Sequence, residues 1–275
     1  MTLRVLVTGS NGFVGRQVVM SLANHDVQLR LVVREGKESD TQALWHDAEI
    51  VSTEDLFSES VEWWQRQCTG IDLIVHVAWY AEPGKYLESP KNLDCLIGSL
   101  NLAKAAAFAR VKRFVGVGTC FEYDLSDGEL SVETPLRPLT LYAATKASLY
   151  MSLLQSLPKA SVEFAWCRLF YLYGEGEDSR RLVKYLRLKL EKGEKVKLTS
   201  GKQVRDYLDV RNAGEMVAEV ALGNQKNAIN ICSGVPITVR QLAEKIADEY
   251  GKRDLLQFGA RPDNLVDPHY VVGIR

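Results

Sequence analysis

The sequence predicts an α/β fold: a Rossmann-like doubly wound parallel sheet with a smaller C-terminal α/β region. Three observations predict it. Apolar, strand-like runs alternate with helical segments, the pattern of a parallel sheet covered on both faces. A glycine triad, Gly9, Gly12 and Gly15 in "VTGSNGFVG", follows the first run and opens the first helix. The regular alternation then stops at about Tyr173, and shorter elements take over.

Each element has a local reason. Arg4–Thr8 is a short apolar run that reads as a buried strand, and the helix after the glycines continues to about Leu22. "VQLRLVVRE" is a second strand, and "AEIVS" and "DLIVHVAW" are the third and fourth. Residues 92–110 are helical, because Leu93, Leu96, Ile97 and Leu100 recur at helical spacing. "RFVGVGT" is another strand; a polar loop and a helix carrying Tyr142 follow, the helix stopping before Pro158. "VEFAWCRLF" is again a strand. Farther on, Ser179–Lys192 reads as a basic helix, "VKLTSGKQVRDYLDV" as short strands around a turn, and "AINIC" as a strand. Thr238 and Gln241 form a capping box for a helix that ends at Gly251. The expected division is a main sheet domain over 1–173, which carries the glycine loop, and a smaller region over 174–275. The second is interleaved with the sheet and closes over its C-terminal edge.

Bulk properties narrow the class. The 275 residues are 46% hydrophobic and 25% charged, ordinary for a soluble enzyme. The net charge of −1 provides no basic field for nucleic acid. No apolar run reaches the ~18 residues that span a membrane. Five scattered cysteines, odd in number and without CxxC spacing, point to a reducing cytoplasm and away from disulfides or zinc. The four histidines are dispersed, so no metal site is expected.

The glycine triad points to a dinucleotide and marks 1–173 as the dinucleotide-binding domain. One glycine makes the tight turn, one lets backbone approach a pyrophosphate, and one lets the helix pack on the strand. The second strand ends in "VVRE", with Arg34 about 20 residues past the glycines, where the ribose is read. An acidic residue there takes the 2′-hydroxyl, whereas an arginine accommodates a 2′-phosphate. Arg34 therefore favours NADP(H), with Arg16 as a further cation; NAD(H) remains possible with Glu35 as the ribose ligand.

Tyr142 and Lys146 lie four apart on one helix and share a face. A phenol with a pKa near ~10 exchanges protons poorly at neutral pH. A neighbouring ammonium favours the phenolate, as does a positive nicotinamide ring, and the two are expected to bring the phenol towards the working range. An amphipathic helix with a snorkelling lysine would show the same pair. Thr119, ending the fifth strand, lies at the rim where open α/β sheets bind ligands and can bond the oxygen that Tyr142 protonates.

With these motifs together the chain resembles the extended short-chain dehydrogenase/reductase family, in its nucleotide-sugar epimerase, dehydratase and ketoreductase branch. The resemblance covers nearly all of the chain. It implies that "GSNGFVG" is the cofactor loop, with Gly9, Asn11, Gly12, Phe13, Val14 and Gly15 in contact. It places Asp55 and Leu56 at the adenine, and Ala78 of "HVAW" beside the cofactor. Thr119, Tyr142 and Lys146 match the catalytic triad, Lys146 also anchoring ribose. "CRLFYLYGEGE" leads into the region over 174–275, which the resemblance implies is substrate-binding, with Phe170 at the cofactor and Tyr171 at the substrate. "GKQVRDYLDV" and "GARPDN" supply Arg205 and Arg261 for a diphosphate, a role that permanently charged planar forks suit. Arg168 instead reads as ordering its strand end. Trp79, Tyr80 and Cys120 are candidate walls of a sugar site. The resemblance also implies a homodimer through the 92–110 and 142–157 helices.

Departures from the family pattern narrow the reaction. Dehydratases carry an Asp-Glu pair after the threonine; Cys120 and Phe121 stand there, with Glu122 one residue late. Asparagines usual in the family are replaced by Tyr171 and Cys95. The expectation is a cytoplasmic NADP(H)-dependent reductase of a nucleotide-activated 4-keto-6-deoxy sugar, with Tyr142 as proton donor. The alternatives are an NAD-dependent nucleotide-sugar 4-epimerase and a non-enzymatic dinucleotide sensor on the same fold.

Overall fold

The computed structural model describes residues 2–264 and 267–275. Its main sheet is built from seven strands: β1 (Leu3–Thr8), β2 (Val27–Arg34), β3 (Glu49–Thr53), β4 (Leu73–His76), β5 (Arg113–Thr119), β7 (Glu163–Leu169) and β11 (Asn227–Ile231). They run β3-β2-β1-β4-β5-β7-β11, and every pairing is parallel. The order reverses between β1 and β4. A crevice opens there at the carboxyl ends of the strands, where such sheets bind ligands.

Buried Val, Leu and Ile on both faces explain why these strands read as unbroken apolar runs rather than alternating ones. One face is covered by α1 (Phe13–Leu22) and, much later in the chain, α7 (Val210–Leu222). They meet closely: a Cβ on Gly214 would lie 2.6 Å from the Gln17 backbone. The short α2 (Glu38–Leu44) links β2 to β3. The other face is covered by α3 (Val61–Cys68), α4 (Lys91–Phe108) and α5 (Leu141–Ser156).

The remaining elements form a smaller layered region. It contains β6 (Glu129–Leu130), β8 (Tyr171–Tyr173), α6 (Leu182–Glu191), β9 (Val196–Lys197) and β10 (Val204–Asp209). It also contains β12 (Pro236–Thr238), α8 (Val239–Glu249), β13 (Leu256–Gln257) and β14 (Tyr270–Gly273). A second sheet runs β12-β10-β14-β6, with β8 also paired to β10. Helices α6 and α8 pack on each other over their own apolar cluster.

Three expectations change in detail. Residue 110 lies outside α4, because Arg110 has left-handed backbone (φ 56°) that ends the helix. The segment from Val196 to Asp209 is no local hairpin: β9 pairs with β13, and β10 pairs with β8, β12 and β14. Helix α6 begins at Leu182, after a turn in which the Asp178 carboxylate accepts from Arg180 N–H at 2.9 Å. The capping box at Thr238 and Gln241 is present. Among the described residues, no helix is long and apolar enough to cross a membrane. All five cysteines are unpaired and buried.

Candidate active site

The glycine turn joins β1 to α1 at the crevice. Gly9 has left-handed backbone (φ 75°), and a Cβ on it would meet Ala78 N at 2.7 Å. A Cβ on Gly15 would lie 2.0 Å from Gly9 O, so only glycine lets α1 pack onto the turn. Gly12 caps α1 without any side-chain acceptor for the first-turn N–H groups. Those N–H groups, the helix dipole and the buried, unpartnered Ser10 Oγ suit an anionic pyrophosphate. A dinucleotide thus fits the residues present, including Phe13 and Val14 at the start of the helix. Asn11 exchanges hydrogen bonds with Thr41 of α2 (2.9 and 3.2 Å), which ties the loop down.

Arg34 ends β2, opposite Thr53 of β3, with an exposed side chain. Glu35 beside it and Arg16 in α1 are exposed as well. Asp55 holds a turn by accepting from Phe57 N–H at 3.0 Å, and Leu56 packs into the α3–α4 core. Ala78 is buried against the glycine turn, and its N–H donates to Thr8 Oγ1 at 3.3 Å. His76, one of the dispersed histidines, bridges Thr8 Oγ1 (2.8 Å) and Ser99 Oγ (2.7 Å). Burial and the nearby Lys146 charge push its pKa down to about 3, so it is a neutral structural link.

The structure brings Thr119, Tyr142 and Lys146 together. Thr119 is the last residue of β5; its hydroxyl accepts from Phe121 N–H at 3.3 Å and lies close to the Tyr142 phenol. The helix that presents Tyr142 starts where it does because Thr140 Oγ1 accepts from Ala143 N–H at 3.2 Å. Lys146 is only 2% exposed. Its ammonium donates to Val117 O at 2.6 Å and lies 3.9 Å from the centre of the Trp79 ring.

The part of one electrostatic expectation that fell to Lys146 is corrected. Lys146 was expected to lower the phenol's pKa. Instead burial raises it, and Tyr86 and Glu122 add to the effect; the nearby Thr119 hydroxyl opposes it. The ammonium is engaged with Val117 O and Trp79 rather than with the phenol oxygen. Burial in turn pushes Lys146 down to about 7, with Glu122 and Cys95 opposing.

Two aromatic rings from one loop cover this pair. Trp79 lies over Lys146, and the Tyr86 ring packs edge-on to Tyr142 with centroids 4.8 Å apart. Buried Asn92 pins the loop: it accepts from Trp79 Nε1 at 2.8 Å and donates to Tyr86 O (2.6 Å) and Ser89 O (2.9 Å). Sequence reasoning missed Tyr86 and Asn92. The one hint was the "EPGKY" turn after the fourth strand.

The substrate candidates are more dispersed. Cys120 is buried in one apolar cluster with Tyr123 and with Phe170, the latter a cofactor-binding candidate, and burial pushes the Cys120 thiol upward. Tyr171 lies edge-on to Phe121 at 5.9 Å and 5.2 Å from the Arg205 guanidinium. Arg205 is 2% exposed and paired with Asp267 at 2.7 Å. Arg261 is exposed and donates to the Tyr185 hydroxyl at 3.1 Å. Tyr80 donates to Glu82 at 3.0 Å. Glu122 and Arg168 form a buried ion pair, so Arg168 does order its strand end, through a partner the sequence did not indicate.

Comparisons with known proteins bear on the family and the fold. Residues 5–232 match the NAD dependent epimerase/dehydratase family. A dTDP-6-deoxy-L-talose 4-dehydrogenase (NAD(+)) of Aggregatibacter actinomycetemcomitans is 22% identical, over 99% of this chain and 100% of its own. The structure of a UDP-glucose 4-epimerase from Thermotoga maritima, solved with UDP-glucose, superimposes with a TM-score of 0.85 at 21% identity, covering 99% of this chain and 90% of that one. A dTDP-glucose 4,6-dehydratase from Streptomyces venezuelae, solved with NAD, gives 0.81 at 22% identity, covering 98% and 88%. The dehydrogenase is named for NAD(+) and the dehydratase was solved with NAD, so these relatives lend no support to a preference for NADP.

The shift at Lys146 has a testable sign. The unfolded chain keeps this proton up to about pH 10.5, whereas the folded protein releases it near 7. Between those values the unfolded state binds more protons, so this group's contribution to stability rises with pH. The stability advantage of a Lys146→Met variant over the parent should therefore shrink from about pH 7 to about pH 10, as measured by urea unfolding. A gap independent of pH would contradict the assignment.

Proposed function

The chain belongs to the NAD dependent epimerase/dehydratase family and is an NAD(P)-dependent oxidoreductase/epimerase, and from that premise we propose that it reduces the C4 ketone of a nucleotide-activated 4-keto-6-deoxyhexose. The observation that carries this reading is the Tyr142 phenol. Burial holds it in the protonated form, which is the form a ketone reduction consumes, and it lies close to Thr119, the last residue of β5, and one helical turn from Lys146.

When bound, the dinucleotide supplies the hydride. The chain's own residues handle the oxygen. As C4 receives the hydride, the carbonyl electron pair moves onto oxygen, which takes the Tyr142 proton. Thr119 holds that oxygen beside the phenol. Lys146, one turn along the same helix face, supplies positive charge near the phenolate that forms. Gly9, Gly12 and Gly15 with the start of α1 hold the pyrophosphate, and Arg34 reads the adenosine ribose.

Substrate recognition follows the same logic. Arg205 and Arg261 are the diphosphate partners. Arg205 is already paired with a carboxylate, so the diphosphate replaces Asp267 at that guanidinium. Trp79 and Tyr171 offer apolar surface suited to a 6-deoxy position. The dehydrogenase relative's name describes the same C4 step run as an oxidation. Water elimination is disfavoured, because Cys120 and Phe121 carry no carboxyl group and Glu122 is committed to Arg168. Membership of an enzyme family also weighs against a sensor without activity.

Arg34 favours NADP(H) over NAD(H), while the dehydrogenase relative is named for NAD(+). The chain is proposed to act as a homodimer through α4 and α5, which leave Leu93, Ile97 and Met151 48%, 58% and 51% exposed.

Three outcomes are expected. Tyr142→Phe should lower turnover of a dTDP-4-keto-6-deoxyhexose about 10²–10⁴-fold while dinucleotide binding is retained. Interconversion of C4 epimers by the parent without added reductant would overturn the reductase reading. Arg34→Asp should raise KM for NADPH about tenfold or more and leave NADH little affected. Equal KM values for the two cofactors in the parent would remove the role given to Arg34. Sedimentation at micromolar concentration should give twice the 30.8 kDa chain mass, and a monomer would contradict the dimer.

A further inference from the structure

We propose that Glu122, bound to Arg168, is a positioning residue of this site: a buried anion that fixes the backbone at Thr119 and sets the electric field at Lys146 and Tyr142. The inference rests on the reading of Thr119, Tyr142 and Lys146 as the reacting set.

Glu122 is fully buried, yet every contact of its carboxylate is a strong one. It accepts from Thr119 N–H at 2.8 Å, from Trp166 Nε1 at 3.0 and 3.1 Å, and from Arg168 Nε at 2.7 Å. Thr119 Oγ1 closes the same turn by accepting from Phe121 N–H. The carboxylate therefore grips Thr119, the residue that lies close to the Tyr142 phenol. The space is built for it: a Cβ on Gly118 would lie 2.1 Å from Trp166 Nε1 and 2.3 Å from Glu122 Oε1. Arg168, 1% exposed, is held between the Tyr123 and Tyr150 rings at 4.4 and 4.5 Å.

Stability alone is a poor account of this pair. Apolar groups of similar volume usually replace a buried ion pair at little or no loss. Its place directly behind the reacting residues points to the field there. The titratable groups facing Lys146 and Tyr142 are Glu122, Cys95 from α4, Cys120, Tyr86 and His76. Burial keeps both thiols and the Tyr86 phenol protonated and His76 neutral. Glu122 is the carboxylate of that set, and it acts on both partners. An anion favours the ammonium and disfavours the phenolate, so its removal must lower the pKa of both groups. Removal of Arg168 frees the anion and must raise both.

The experiment titrates protein labelled with ¹³C-lysine and follows the Lys146 Cε resonance, assigned by its loss in Lys146→Met. The readout needs no substrate, so it stands even if the proposed reaction is wrong. Glu122→Gln should move the Lys146 midpoint down by about one unit or more, and Arg168→Gln should move it up. A merely structural role would not produce opposite shifts. Midpoints unchanged within about 0.3 units, or shifts of the same sign, would overturn the proposal. If either single variant fails to fold, Glu122→Val combined with Arg168→Leu replaces the pair by apolar groups and should still lower the midpoint. An unmoved midpoint in that double variant would equally overturn it.

Discussion

The pairing of β5 with β7 is the constraint on which the site depends. Seven residue pairs in register, from Arg113 with Glu163 to Thr119 with Leu169, set Thr119 at the rim of the sheet. The same register puts Trp166 opposite Gly116 and Arg168 opposite Gly118. With no side chain on those glycines, the Trp166 indole lies against β5 and reaches the Glu122 carboxylate. Val117 of the same strand offers the carbonyl that receives Lys146. A slip of one residue would turn these groups to opposite faces and dismantle the arrangement.

Around that register the molecule places ionisable groups where water does not reach. The consequences differ by chemistry. His76 loses its charge and becomes a hydrogen-bonded link between β1, β4 and α4. Lys146 keeps its proton less tightly than an exposed lysine, while the phenol of Tyr142 keeps its own more tightly. Arg168 stays charged because a carboxylate and two aromatic faces surround it. The site thus combines a protonated donor, an adjustable ammonium and a fixed internal anion.

The second half of the chain serves the first in a way that its order in sequence conceals. Helix α7 and strand β11 return to the main sheet, so the face over α1 is completed by residues some two hundred positions away. The strands that flank them in the chain, β8 and β10 before and β12 and β14 after, build the layer that carries Arg205, Asp206 and Tyr171. There the Asp206 carboxylate ties β10 to the Ser233–Gly234 turn and to Gly273 N–H of β14. Local patterning could not forecast this, because β10 finds its partners β8, β12 and β14 in distant parts of the chain, and strands of two to four residues have little periodicity to read.

The sequence by itself determined the alternation of strands and helices to Tyr173, the glycine turn, and the placing of Thr119, Tyr142 and Lys146 on one rim. These follow from short-range rules: helical spacing, strand hydrophobicity, and the geometry that only glycine permits. Tertiary structure alone decided where the charges settled. Glu122 and Arg168 are 46 residues apart, Arg205 and Asp267 are 62 apart, and nothing local marks either pair. It also decided the sign of the shift at Tyr142, because a pKa is set by burial and by neighbours from several elements at once, not by the spacing of two residues on one helix.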